Sequence, residues 1–201
     1  MLILGPSKAG KTALFNRLVE GEVPDSVTSL EANRAECWPV PGTDRSARLV
    51  AWPGHPKLRA GLSALLPSVA GVVFLVDGTD FNPHLRVIAE LFMETVGSRA
   101  VAGARVPVYL GINKCDRGAK CHTHKFVRSR LEQEVQKLLD TRGSMMDTDG
   151  GEQARLNLGK QSGKFSLEGL CSRVTVGTLS VVSGDNLESL DEWVRESVLR
   201  A

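Results

Sequence analysis

Two short runs carry residue types that could hold a nucleotide. Gly5-Pro6-Ser7-Lys8-Ala9-Gly10-Lys11-Thr12 has the spacing G-x-x-x-x-G-K-T, whose chemistry is phosphate binding. The glycines let the backbone wrap a phosphate and turn its N–H groups inward, and a helix opening at Lys11 and Thr12 and running through Ala13 would aim the positive end of its dipole at the same spot. Lys11 would neutralise the outer phosphates, and the Thr12 hydroxyl would sit on Mg²⁺. The second run, Asn113-Lys114-Cys115-Asp116, suits base selection. The Asp116 carboxylate can accept from guanine N1–H and the exocyclic amine, donors that adenine does not offer there. Lys114 would lay its aliphatic stem along the base plane, and Cys115 holds a variable position that needs no special role. An N-K-x-D tetrapeptide alone is a weak signal; a strand and a helix beyond a phosphate loop, it reads as a guanine specificity loop.

A third run, Ala51-Trp52-Pro53-Gly54-His55, bears on hydrolysis. Gly54 would let the backbone approach a γ-phosphate, and His55 stands where small GTPases place the residue that orients the attacking water. An ordinary exposed loop histidine is the competing reading of His55. The usual pattern has an aspartate where Ala51 sits, so the Mg²⁺ shell lacks a carboxylate partner. Nucleotide binding is therefore expected ahead of rapid turnover. Thr28-Ser29 could supply a hydroxyl, from Thr28, that closes over Mg²⁺ and the γ-phosphate. Cys115, Cys121, His122 and His124 are metal-ligand types, but their spacing fits no closed zinc motif and reads as a solvated loop.

These residues need elements to hold them. Leu2-Ile3-Leu4, the glycine-rich turn and the periodic Ala13, Leu14, Phe15, Leu18 and Val19 predict strand, loop and helix, ending near Gly21. Residues 35–40 and 46–51 flank the turn Pro41-Gly42-Thr43-Asp44 and predict an antiparallel hairpin. Gly71 to Asp77 and Val106 to Ile112 are continuous apolar strands, as in a parallel sheet covered on both faces. Helices are expected around Val87 to Val96, from Lys125 to Thr141 and from Leu187 to Val198, with a last strand at Arg173 to Leu179. The alternation gives an α/β layer fold with a mostly parallel sheet, one antiparallel edge strand and helices on both faces. Residues 143–164, rich in glycine and aspartate, read as a long mobile insertion within a single domain spanning 1–201.

Composition narrows the function classes. The 25 basic and 23 acidic residues leave a net charge of +2, so no electrostatic footprint for nucleic acid stands out. Four cysteines in a chain of 201 residues without a secretory signal read as reduced thiols. The apolar run at Val69 to Val76 is far short of the roughly twenty residues a spanning helix needs.

Taken in order, Gly5 to Thr12, Thr28-Ser29, Pro53-Gly54-His55-Pro56-Lys57-Leu58-Arg59, Phe74-Leu75-Val76-Asp77, Asn113 to Asp116 and Leu187 to Trp193 resemble the beta subunit of the signal recognition particle receptor, in the Arf-like branch of small GTPases. Leu158-Gly159-Lys160 and Phe165-Ser166-Leu167 extend the likeness past the insertion. P-G-H-x-x-L-R is the most telling piece, since most small GTPases have glutamine after that glycine. The resemblance implies a GTP/GDP switch with Mg²⁺ that docks the N-terminal domain of the receptor alpha subunit at the cytosolic face of the endoplasmic reticulum, serving targeting of ribosomes that carry secretory chains. It also implies that Ser180 begins the loop backing the base, followed here by Val181-Val182 where the family has alanine and lysine. The family's N-terminal membrane anchor is absent from the chain as written. An Arf- or Rab-like trafficking GTPase with real turnover, or a scaffold that no longer binds nucleotide, are the competing readings.

Overall fold

A computed structural model describes residues 1–23, 31–145 and 164–200. The strands are β1 (Leu2–Leu4), β2 (Asn33–Pro39), β3 (Ser46–Ala51), β4 (Val72–Asp77), β5 (Val108–Asn113) and β6 (Val174–Thr178). The helices are α1 (Lys11–Glu20), α2 (Leu62–Leu65), α3 (Phe81–Val96), α4 (Arg99–Gly103), α5 (His124–Met145) and α6 (Leu187–Arg200). The strands form one sheet in the order β2-β3-β1-β4-β5-β6. All pairs are parallel except β2 with β3. The expected mostly parallel sheet with an antiparallel edge strand is therefore what forms.

Side chains on a strand alternate between faces, and here both faces are apolar. Leu2, Leu4, Val72, Phe74 and Val76 join Leu85, Phe92 and Leu131 in a cluster under α3 and α5. Ile3, Val73, Leu75 and Tyr109 point the other way, into a cluster with Leu14, Phe15, Leu190 and Trp193 of α1 and α6. This two-sided burial is why β4 and β5 read as unbroken apolar runs. Phe74 and Phe92 pack edge to face at 5.3 Å, anchoring α3 beneath the middle of the sheet.

The parallel arrangement brings the carboxyl ends of β1, β3, β4 and β5 to one edge, where Gly5, Trp52, Gly78 and Lys114 follow them. Ligands in open α/β sheets bind outside that edge. At its far end α5 runs to Met145, four residues beyond the periodicity that marks it in the sequence. One glycine, Gly143, costs a helix about 1 kcal/mol and does not by itself stop it. The expected mobile insertion otherwise falls at 146–163, outside the described residues, and Thr28-Ser29 lies outside them as well.

Candidate nucleotide-binding site

The phosphate loop is bracketed by β1 and α1. Gly10 precedes α1 in the left-handed region, φ 95° and ψ 19°, which a side chain rarely adopts. A Cβ there would also come 2.2 Å from Asn113 Nδ2, so glycine at this position is what admits the base-loop asparagine. Ser7 and Lys8 expose their side chains, while Pro6 and Ala9 are buried. Lys11 folds back over the loop, its Nζ donating to the Pro6 carbonyl at 2.7 Å. Only 8% of Lys11 is exposed, and among the described residues no carboxylate pairs with it. Burial pushes its pKa down to about 8. A buried cation with a single carbonyl partner, inside a glycine-lined loop at a helix start, fits a polyphosphate.

Asn113, 3% exposed at the end of β5, joins two parts of the site. Its Nδ2 donates to the Ala9 carbonyl at 2.9 Å, and its Oδ1 accepts from the Val181 N–H at 3.0 Å. One side chain thus ties the phosphate loop to the segment after β6. Asp116 is exposed on the 3-10 turn Cys115–Lys120 and accepts from the Ser180 hydroxyl at 2.7 Å. Ser180 is fully buried, and its hydroxyl also accepts from the Ser183 N–H at 3.2 Å. Asn113, Asp116, Ser180 and Val181 therefore converge on one wall, with Asp116 presented to solvent.

Lys114 adopts φ 69° and ψ 31° and makes a salt bridge with Asp77 at the end of β4. Burial alone raises the Asp77 pKa, but the hydrogen bonds from Lys114 and from the Thr79 hydroxyl and N–H outweigh it and hold the carboxyl below its usual range. This pairing fixes the lysine stem. The sequence reading gave Asp77 no partner; its partner is legible in register, since Asp77 lies opposite Asn113 where β4 and β5 end together. Arg17 is a second residue that periodicity did not single out. Its guanidinium donates to the Val181 and Val182 carbonyls at 2.9 and 3.0 Å, so α1 braces the segment carrying Ser180. A basic residue in the last turn of the helix after the loop is the available signal.

Gly54 lies directly on the phosphate loop. A Cβ there would come 2.5 Å from Pro6 C and Ser7 N and 2.7 Å from Lys11 Nζ, so only glycine permits this approach. Ala51 is buried in the apolar cluster with Ile3 and Leu14, at 4% exposure. It offers no oxygen to a metal. Thr12 lies half-buried in the first turn of α1, where the helix follows the phosphate loop. His55 is exposed, and its Nδ1 accepts from the Lys57 N–H at 3.3 Å. Trp52 braces the same segment by donating from Nε1 to the Leu58 carbonyl at 3.1 Å.

Residues 1–174 match the family model described as the signal recognition particle receptor beta subunit. The chain belongs to that family. The receptor subunit beta of Rattus norvegicus is 30% identical to it over 203 residues, covering 96% of this chain and 75% of the rat protein. A chain of the mammalian signal recognition particle receptor superposes with a TM-score of 0.80 at 27% identity, covering 98% of each. A chain of the SRb-GTP/SRX complex from Chaetomium thermophilum shares the fold, with a TM-score of 0.69 at 24% identity over 97% of this chain and 96% of that one. Among the described residues of this receptor beta subunit, no helix is long and apolar enough to cross a membrane. Ala51 leaves the end of β3 without a side-chain carboxylate.

Proposed function

We propose that this receptor beta subunit binds GTP and GDP at the carboxyl edge of the sheet and serves as a nucleotide-dependent switch that recruits the receptor alpha subunit to the endoplasmic reticulum membrane. The observation that carries the reading is the Asn113 bridge, because it makes the phosphate loop and the base-reading segment two walls of one cleft. Lys11 and the backbone of residues 5–13 would hold the phosphates, and Asp116, with Lys114 alongside, would select guanine. Ser180 orients the Asp116 carboxylate, and Val181 receives the other end of Asn113. Mg²⁺, when bound, would neutralise charge on the phosphates. Thr12 is its protein ligand in this reading, with Thr28 as the second.

Turnover is expected to be slow. The buried Ala51 cannot hold a metal-bound water, and His55 already spends Nδ1 on the Lys57 backbone. What the segment does supply is contact: Gly54 touches the loop that would carry the phosphates, so a change there is felt at residues 52–58. Support for the alpha-subunit partner comes from family membership and from the SRb-GTP/SRX assembly of the Chaetomium relative.

The test is capture of the alpha subunit's N-terminal domain on immobilised chain loaded with GTP or with GDP, beside single-turnover hydrolysis with and without Mg²⁺. Retention with GTP alone and slow turnover are expected. Rapid turnover with no capture in either state would favour a trafficking GTPase, and failure to bind GTP at micromolar levels with the fold intact would leave a scaffold.

A further inference from the structure

Cys115 and Cys121 bracket the turn that presents Asp116, and folding brings their sulfurs to 2.7 Å. The approach is set by backbone. The Cys115 N–H donates to the Leu179 carbonyl at 3.3 Å, the Cys121 N–H donates to Gly118 at 2.9 Å, and the His122 N–H reaches Gly78 at 2.9 Å. Gly118 reverses the chain between the two cysteines at φ 56°. Around the pair, Cys115 Sγ donates to the Ile112 carbonyl at 3.3 Å and Cys121 Sγ lies 3.6 Å from the His122 carbonyl. Both side chains are partly exposed, so a small reagent can reach them, whereas Cys37 and Cys171 are exposed elsewhere. Nucleotide binding uses neither thiol. The sequence reading of this stretch as a solvated loop therefore misses a built pair.

We propose that Cys115 and Cys121 form a vicinal-dithiol modification site, closed reversibly to a disulfide by a small-molecule disulfide oxidant of the glutathione type. The contact must shorten to the bond length of about 2.0 Å, a displacement small enough for the turn to absorb. Burial, with Cys115, Asp77 and Asp116 alongside, pushes the Cys121 thiol up. The Cys115 sulfur, its proton given to water, attacks one sulfur of the oxidant and expels one thiolate. Cys121 then loses its proton, attacks Cys115 Sγ in the mixed disulfide and expels the second thiolate. Two protein thiols are oxidised, one small disulfide is reduced to two thiols, and the protons end on the departing thiolates. In a reducing cytosol the pair stays open and closes under oxidative challenge. On the reading that Asp116 contacts guanine, the closed ring restrains the turn and bound GDP leaves more slowly.

The experiment uses the full chain with Cys37→Ser and Cys171→Ser, equilibrated against mixtures of reduced and oxidised glutathione and read by intact mass and maleimide labelling. Expected are loss of the mass of two hydrogens without a glutathione adduct, protection of both sites and full reversal by dithiothreitol. Phenylarsine oxide, which needs two adjacent thiols, should bind one per chain. Adding Cys121→Ala should abolish bridging and arsenical binding and leave a stable glutathione adduct on Cys115. Persistent adducts without loss of two hydrogens, or two independently reactive thiols, would overturn the site. Release of a fluorescent GDP analogue from open and closed forms is read in parallel. Equal rates would overturn the restraint on the turn, and a chain that binds no GDP would sink the nucleotide reading while the mass result still decides the dithiol.

Discussion

Burial of Lys11 imposes a pH dependence on nucleotide binding that can be worked through. In the free chain its pKa is about 8 because the ammonium is desolvated. Phosphates beside it would restore the charged form, so binding takes up protons wherever Lys11 is partly neutral. With a free value of about 8 and a bound value well above it, the charged fraction falls from about nine tenths at about pH 7 to about one quarter at about pH 8.5. Affinity should weaken about fourfold over that interval, or roughly 0.8 kcal/mol. Near pH 8 about half a proton should enter with each nucleotide. Calorimetric titration of GDP in two buffers of different ionisation enthalpy measures the uptake directly, and uptake should vanish towards pH 6.5. A lysine whose folded pKa lies below its unfolded value weakens the fold wherever it is charged. The ligand-free chain should therefore gain stability as pH rises from about 8 towards 10.5. Affinity flat from about pH 7 to about pH 8.5, with no proton uptake, would refute the argument.

Asp116→Ala removes an exposed carboxylate that would accept from guanine, so GTP affinity should fall by roughly 1.5–3 kcal/mol per lost charge-assisted bond, and the melting temperature should also drop because the buried Ser180 hydroxyl loses its acceptor. Unchanged affinity would reject the base loop. Gly54→Ala drives a methyl into the backbone of Pro6 and Ser7, which cannot swing aside as a side chain could. The chain should fold but lose the GTP-over-GDP preference in alpha-subunit capture; a preserved preference would show that the Gly54 contact does not transmit the nucleotide state. Ala51→Asp places a carboxylate in an apolar cluster, where an unpaired charge costs several kcal/mol. Thermal melts should show a less stable free chain and a larger shift with Mg²⁺-GTP than the parent gives, whereas an equal shift would mean that the metal shell is completed elsewhere. Asp191, whose Oδ1 has no hydrogen-bond partner among the described residues, has its pKa raised by burial and by Glu188. A raised folded value means that stability falls as pH climbs through it, so Asp191→Asn should stabilise the chain at neutral pH and lose that advantage in acid.

How much the sequence could say follows from the range of each interaction. Strands and helices depend on neighbours a few residues apart, so the apolar runs of β4 and β5 and the periodicity of α6 were legible, as was the phosphate loop between its strand and helix. The grouping of Asn113 with Asp116 was legible too, and the fold carries both onto one wall with Ser180 and Val181. The bonds that assemble the wall were not, because they join residues far apart along the chain. Asn113 and Ala9 are 104 residues apart, and Arg17 and Val181 are 164 apart. Even a separation of six hid the Cys115–Cys121 contact, since it depends on Gly118 reversing the chain rather than on the residue types flanking it.

Ala51 shows how structure changes the meaning of a departure that sequence alone can detect. Read from its motif, it is a missing carboxylate that puts metal affinity and hydrolysis rate in question. In the fold it packs among Ile3, Leu14 and Leu49 directly behind the phosphate loop, so the alanine also completes the apolar support of α1. Burial of a methyl there contributes roughly 0.8 kcal/mol, and an aspartate would need a bound cation to offset its desolvation. On the proposed reading the alanine would lessen dependence on Mg²⁺ while supporting the ligand-free fold. Together with His55 bonded to its own turn, that combination would suit the proposed switch, whose nucleotide would act chiefly as a structural state to be recognised and whose hydrolysis would be a slow means of leaving it.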